Sequence, residues 1–254
     1  MDKQRPWSRK RIARVAILAI IGVLGLFVLY LVLLCHPGPF FRYAFTHGGV
    51  TLYSDERIPS SARHVLEDAE DRLVRSPLFR VPPVKDIRIY LCNHTWRFIL
   101  FANYRYRVGG LTYPPLSNNI FLRAVHIEAN RLIGPSGHEV PGERTLSYFI
   151  AHEIMHVLIR DDLGATRYWR LPEWKNEGYA DYVAKGSDFD YDLAVGQLRS
   201  GDREMNPKSS GLYLRYHLLV AYLLDKKGIG AREILSQAFD PAELESGILR
   251  AKAQ

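Results

Sequence analysis

The chain of 254 residues is expected to be an α+β protein carried on one N-terminal membrane-spanning helix, with a small mixed sheet in front of a helical half. Three observations lead to that fold class. A basic tip precedes a long uncharged apolar run, short alternating segments fill the middle of the chain, and helical periodicity dominates from Thr145 onward. With 47% apolar and 24% charged residues the chain can bury a real core, which excludes a disordered protein.

The formal charge of +7 suggests a nucleic-acid partner until its distribution is read. Lys3, Arg5, Arg9, Lys10, Arg11 and Arg14 against Asp2 place +5 in the first fourteen residues, leaving only +2 for the rest. The basic signal is local, so no nucleic acid is expected as a partner. From Val15 to Cys35 the sequence VAILAIIGVLGLFVLYLVLLC is uncharged for 21 residues. At about 1.5 Å per residue, such a helix covers a hydrocarbon core of roughly 30 Å. A secretory leader has a shorter apolar region ending at small residues, and LVLLCHPGPF offers no such site. A lipid-modified Cys35 is disfavoured by the bulky Leu34 before it. Basic residues ahead of a span stay in the cytoplasm, so the chain beyond His36 is expected on the extracytoplasmic side of a cell membrane.

Residues 36–55, rich in Pro, Gly and aromatics, suit a membrane-proximal linker after the basic tip (1–14) and the span (15–35), with one folded domain over 56–254. In IPSSARHVLEDAEDRLVRS, Val65, Leu66, Ala69 and Leu73 share a helix face. DIRIYLC alternates Ile87, Ile89 and Leu91 with Arg88 and Tyr90 and is expected to be a strand; IFLRAV (120–125) is a second. The run LYLRYHLLVAYLL (212–224) contains Arg215 and His217 and is only thirteen residues long, so it fits a buried core helix rather than a second span. Cys35 and Cys92, far apart, make no disulfide framework.

The segment SYFIAHEIMHVLIR (147–160) carries the chemistry. His152 and His156 are four residues apart, so on a helix they project one turn apart from one face and can bind one metal ion. Glu153, beside the first of them, can reach a water on that ion. The apolar flank of Phe149, Ile150, Ile154, Val157, Leu158 and Ile159 marks a buried helix. Burial of Glu153 and two imidazoles without partners would cost several kcal/mol, which is a reason for them to have a shared ligand. Twenty-one residues after His156, LPEWKNEGYADYVAKG offers Glu177 and, one turn later, Asp181.

HEIMH followed by NEGYAD resembles the gluzincin metallopeptidases of the thermolysin-like clan, in which one helix carries HExxH and the next a glutamate with an aspartate a turn later. The resemblance covers roughly residues 85–225, and its specific part is confined to the two helices. It implies a zincin-like domain with His152, His156 and Glu177 as ligands of Zn²⁺, Glu153 as catalytic base, and Asp181 as hydrogen-bond partner of a ligand histidine. Asn176, just before the third ligand, matches as well and joins Asp181 around the ligands. It further implies that IFLRAV forms the sheet edge on which an extended peptide lies, and that a Tyr or His from a later helix stabilises the oxyanion. Tyr213, Tyr216 and His217 are the candidates, with Tyr216 preferred for its position on the helix after the metal site. The function expected is that of a single-pass zinc metallopeptidase acting on a peptide or protein substrate and held to the lipid bilayer through residues 15–35. The alternative is a catalytically inactive zincin-like scaffold at the membrane, which would be expected to show a broken site.

Overall fold

A computed structural model describes residues 9–80, 86–105, 107–114 and 116–251. The chain divides into two compact units, one ending at Phe40 and the other beginning at Phe41. The first unit holds α1 (Arg9–Cys35), a helix long and apolar enough to cross a membrane. Its side chains are exposed from residue 10 to residue 29, among them Leu18, Val23, Leu24 and Leu26. A helix that is apolar all round and unburied lacks the polar face by which a surface helix meets water.

The second unit begins with β1 (Tyr43–His47) and β2 (Val50–Ser54), followed by α2 (Ala62–Leu73), β3 (Ile87–Leu91), α3 (Thr95–Phe101), β4 (Gly110–Thr112) and β5 (Asn119–Leu122). A two-stranded ribbon, β6 (Val125–His126) and β7 (Arg131–Leu132), leads to the helical half. That half contains α4 (Leu146–Leu163), α5 (Ala165–Arg170), α6 (Glu173–Lys185), α7 (Tyr191–Ser200), α8 (Pro207–Ser210), α9 (Leu214–Ala221), α10 (Ala231–Ser236) and α11 (Pro241–Ala251). A π-helical turn, Tyr222–Lys226, extends α9. The fold is therefore α+β, with a mixed sheet ahead of helices.

The sheet order is β1-β2-β3-β5-β4. The hairpin β1–β2 and the pair β4–β5 are antiparallel, whereas β2–β3 and β3–β5 are parallel. One face, with Leu52, Ile89, Leu91, Ile120 and Leu122, is buried in the core shared with α2 and α4. On the other, Tyr53, Tyr90, Phe121 and Phe101 stack ring on ring, with centroids 4.9–5.4 Å apart.

Two expectations are corrected here. The linker assigned to residues 36–55 is too long, because residues 43–54 are the first two strands of the sheet. Gly48 and Gly49, at φ 58° and 82°, close the hairpin in the left-handed region that a two-residue turn demands. Val50, Leu52 and Ser54 then point into the domain. The edge expected at IFLRAV lies elsewhere as well. β5 is paired on both sides, and the edge strand is β4, drawn from VGGLT, a segment that by its glycines resembles a turn. The run 212–224, by contrast, is helical and has a buried centre, as its length and charges predict.

Candidate metal centre

The centre is built on α4, the most enclosed helix of the domain, with every residue from Leu146 to Val157 buried. Thr145 caps it, its hydroxyl accepting from the Tyr148 amide at 3.2 Å. Asn130 clamps the first turn, its Oδ1 accepting from Ser147 N at 2.9 Å and its Nδ2 donating to Ser147 Oγ at 3.0 Å. Ser147 in turn donates to Asp68 on α2. The helix that carries His152 and His156 is thus fixed at its start and along its flanks.

Glu177 comes from α6, which packs against α4 and α9. The approach of α6 to α9 depends on Gly178, where a Cβ would lie 2.5 Å from the carbonyl oxygen of Tyr216. With no side chain there, the two backbones close up and Glu177 reaches the histidines.

His152 Nε2 lies 3.3 Å and His156 Nε2 3.6 Å from Glu177 Oε2, and the two Nε2 atoms are 3.2 Å apart. The ligand atoms of the three residues all fall within 4.8 Å of one another, so this group can hold a metal ion. The donor set fits one. His156 Nδ1 donates to Asn176 Oδ1 at 3.1 Å, which leaves the Nε2 lone pair facing inward. Two imidazoles and a carboxylate form an open three-ligand set with room for a further ligand.

The electrostatics describe a site that attracts positive charge. Burial pushes the His156 imidazole down, but the Glu177 carboxylate, with help from Glu153 and Asn176, overrides this and raises it to about 9. Burial also pushes Glu177 up, and the two imidazoles reverse that and hold it far below the usual carboxylate range. Glu153 is raised by burial, with the histidines opposing and Glu177 reinforcing the shift. Its carboxylate faces the cleft, with no hydrogen-bond partner among the described residues. A buried carboxylate of raised proton affinity, one residue from a ligand histidine, is suited to accept a proton.

The cleft has a volume of about 570 Å³ and runs from β4 to α9. Gly110 of β4 lies so close to Glu153 that a Cβ there would be 2.9 Å from its Oε1. The unpaired edge of the sheet thus borders the candidate base directly. Tyr168 also faces the cleft; its hydroxyl accepts from Asn176 Nδ2 at 3.4 Å, and burial raises its phenol to about 12.

Five of the seven sequence-predicted site residues come together here: His152, Glu153, His156, Asn176 and Glu177. Asp181 is near but differently engaged. It accepts hydrogen bonds from the Tyr148 hydroxyl and from His217 Nδ1 at 2.9 Å, and pairs with Lys185 Nζ at 3.2 Å. Among the described residues no hydrogen bond joins it to His152 or His156, and His152 Nδ1 is buried without a partner. The Tyr148 side chain, one turn ahead of His152, and His217 from α9 saturate the carboxylate first. Tyr216 is displaced too. Tyr213 lines the cleft and stacks on His152, with ring centroids 5.6 Å apart and planes within 7°, whereas Tyr216 does not line it. Burial, Glu177 and Glu153 together push the Tyr213 phenol upward, so it keeps its proton and remains a donor. Sequence reasoning also missed β4 as the edge; its adjacent glycines, a sign of close backbone approach, were the available signal.

No known protein family matches the chain, and no curated protein does.

Proposed function

We propose that the protein is a single-pass, membrane-anchored zinc metallopeptidase of gluzincin type, with its catalytic domain on the extracytoplasmic side. The observation that carries this reading is the convergence of His152, His156 and Glu177 on one point with Glu153 beside them on the wall of an open cleft. Zn²⁺ held there would supply Lewis acidity and lower the pKa of water toward about 7. Glu153 takes a proton from the attacking water and delivers it to the departing amine, so that one water is consumed for each peptide bond cleaved. The substrate lies extended along β4, whose free edge offers backbone hydrogen bonds. Tyr213, protonated and stacked on His152, stabilises the developing oxyanion, the role sequence reasoning gave to Tyr216.

The orientation follows from the basic tip, which stays in the cytoplasm while α1 spans the bilayer. Metal analysis of the full chain in detergent tests the reading, alongside its Glu153→Gln variant. The expected result is about one zinc per chain in both proteins, with hydrolysis of a casein or mixed-peptide substrate by the first alone. Equal turnover by the variant would overturn the assignment.

A further inference from the structure

Four arginines line the cleft, Arg105, Arg107, Arg123 and Arg144, against two carboxylates, Glu153 and Glu177. Those carboxylates are taken up by the metal centre, where a divalent cation would balance them. Among the described residues that line the cleft, arginines thus outnumber carboxylates.

Arg144 is the most informative of the four. It sits immediately before the N-cap of α4, the end of a helix at which a cation is disfavoured by the peptide dipoles. Its guanidinium lies 4.9 Å from the Phe149 ring centroid and 5.5 Å from that of Tyr148, and its Nε is buried with no hydrogen-bond partner. Among the described residues no carboxylate forms an ion pair with it. A half-buried cation at an unfavourable helix end with an unmet donor is costly to the fold on each count. An anion delivered into the cleft would answer the first two. Arg123, also on the cleft wall and buried, donates through Nε to the Ile133 carbonyl at 3.1 Å, which holds its guanidinium in place beside the Phe98 ring.

We propose that this side of the cleft selects peptides bearing a carboxylate, and that Arg144 is the residue that determines the preference. The proposal rests on the peptidase reading above and names its substrate class. A carboxylate can come from an Asp or Glu side chain or from the peptide's own C-terminus. Both match the planar fork of a guanidinium.

The test uses the zinc-loaded full chain in detergent and internally quenched octapeptides of Ala, Gly and Leu. Each carries one Glu, Gln or Lys at successive positions, as the free acid or the C-terminal amide. A carboxylate should raise kcat/KM by ~10-fold, mainly through KM, as expected of a charge-assisted hydrogen bond. Arg144→Gln should abolish the difference, and Arg144→Lys should keep part of it. A Glu effect at one position in the amides assigns the side chain, and an effect of the free acid alone assigns the C-terminus; either supports the proposal. Equal cleavage of Glu, Gln and Lys peptides together with no difference between free acid and amide would overturn it, as would a preference that survives Arg144→Gln. If no peptide is cleaved at all, the peptidase reading fails instead. Fluorescence anisotropy of labelled Glu and Gln peptides, each as free acid and as amide, with the zinc-loaded Glu153→Gln protein then decides the carboxylate preference by itself: tighter binding of the Glu peptides or of the free acids supports it, and equal binding of all four sinks it.

Discussion

The Nδ1 of His156 lies 3.1 Å from Oδ1 of Asn176, and this one hydrogen bond decides which nitrogen of the ring faces the centre. Because an amide oxygen only accepts, His156 carries a proton on Nδ1, and Nε2, which faces Glu177 and His152, becomes the ligand lone pair once the ring is neutral. Asn176→Ala frees the ring to adopt the other tautomer. Metal affinity should fall by ~10–100-fold, measured by competition with a chromogenic chelator. Asn176→Asp keeps the acceptor and should recover most of it. Unchanged affinity in the alanine variant would show that the tautomer is set elsewhere.

Metal loading should release protons at neutral pH. The His156 imidazole is raised to about 9, so in the metal-free protein it is charged at pH 7 and must lose its proton to become a ligand. Calorimetry at pH 7 in buffers of different ionisation enthalpy should give about one proton released per metal, dwindling toward zero as the pH passes about 9. The same shift predicts the stability of the metal-free protein. A folded-state value raised above the ordinary 6.5 stabilises the fold fully below about 6.5, and that contribution disappears as pH rises through about 9. The melting temperature of metal-free protein should therefore drop between pH 7 and 10. A flat profile would contradict the coupling of His156 to Glu177.

Asp181 should behave as a structural anchor. Its carboxylate is 1% exposed and meets Tyr148, His217 and Lys185, which belong to α4, α9 and α6. Asp181→Ala leaves a partly buried ammonium and two buried donors unpaired, so the domain should lose about 3–5 kcal/mol of stability, read by chemical denaturation. Glu177→Ala should instead empty the metal site, because it removes one of three ligands. A variant pair in which Asp181→Ala empties the site while leaving stability untouched would reverse these roles.

Two glycines give opposite predictions. Gly110→Val would press a side chain onto the Glu153 carboxylate, so hydrolysis should fall sharply while bound metal, measured by emission spectroscopy, stays constant. Gly178→Ala would meet the rigid carbonyl of Tyr216 and force α6 from α9. A loss of about 1–3 kcal/mol is expected there, with weaker metal binding as Glu177 is carried away from the histidines. If Gly178→Ala retains wild-type stability and metal affinity, the close approach of the two helices is not what places Glu177.

What the sequence alone determined is what depends on local spacing. The spacing of four from His152 to His156 makes one helical turn, and the apolar pattern around them makes that helix a buried one, whatever the rest of the chain does. The length of the run from Val15 to Cys35 likewise suffices to make a helix able to cross a bilayer. The arrangement of Glu177 and Asp181 one turn apart was equally legible, and so was the core helix at 212–224. What only the tertiary structure decided depends on which element arrives where. Only two residues separate Tyr213 from Tyr216, and the packing of Gly178 against the Tyr216 backbone leaves Tyr213 on the cleft wall. Asp181 bonds Tyr148 and His217 because α4 and α9 bring those groups to it from distant parts of the chain. Edge and interior strands share the same alternation, so the position of β4 at the sheet's edge, and of residues 43–54 within the sheet, came from the parallel pairing of β2 with β3 and of β3 with β5, strands far apart in sequence.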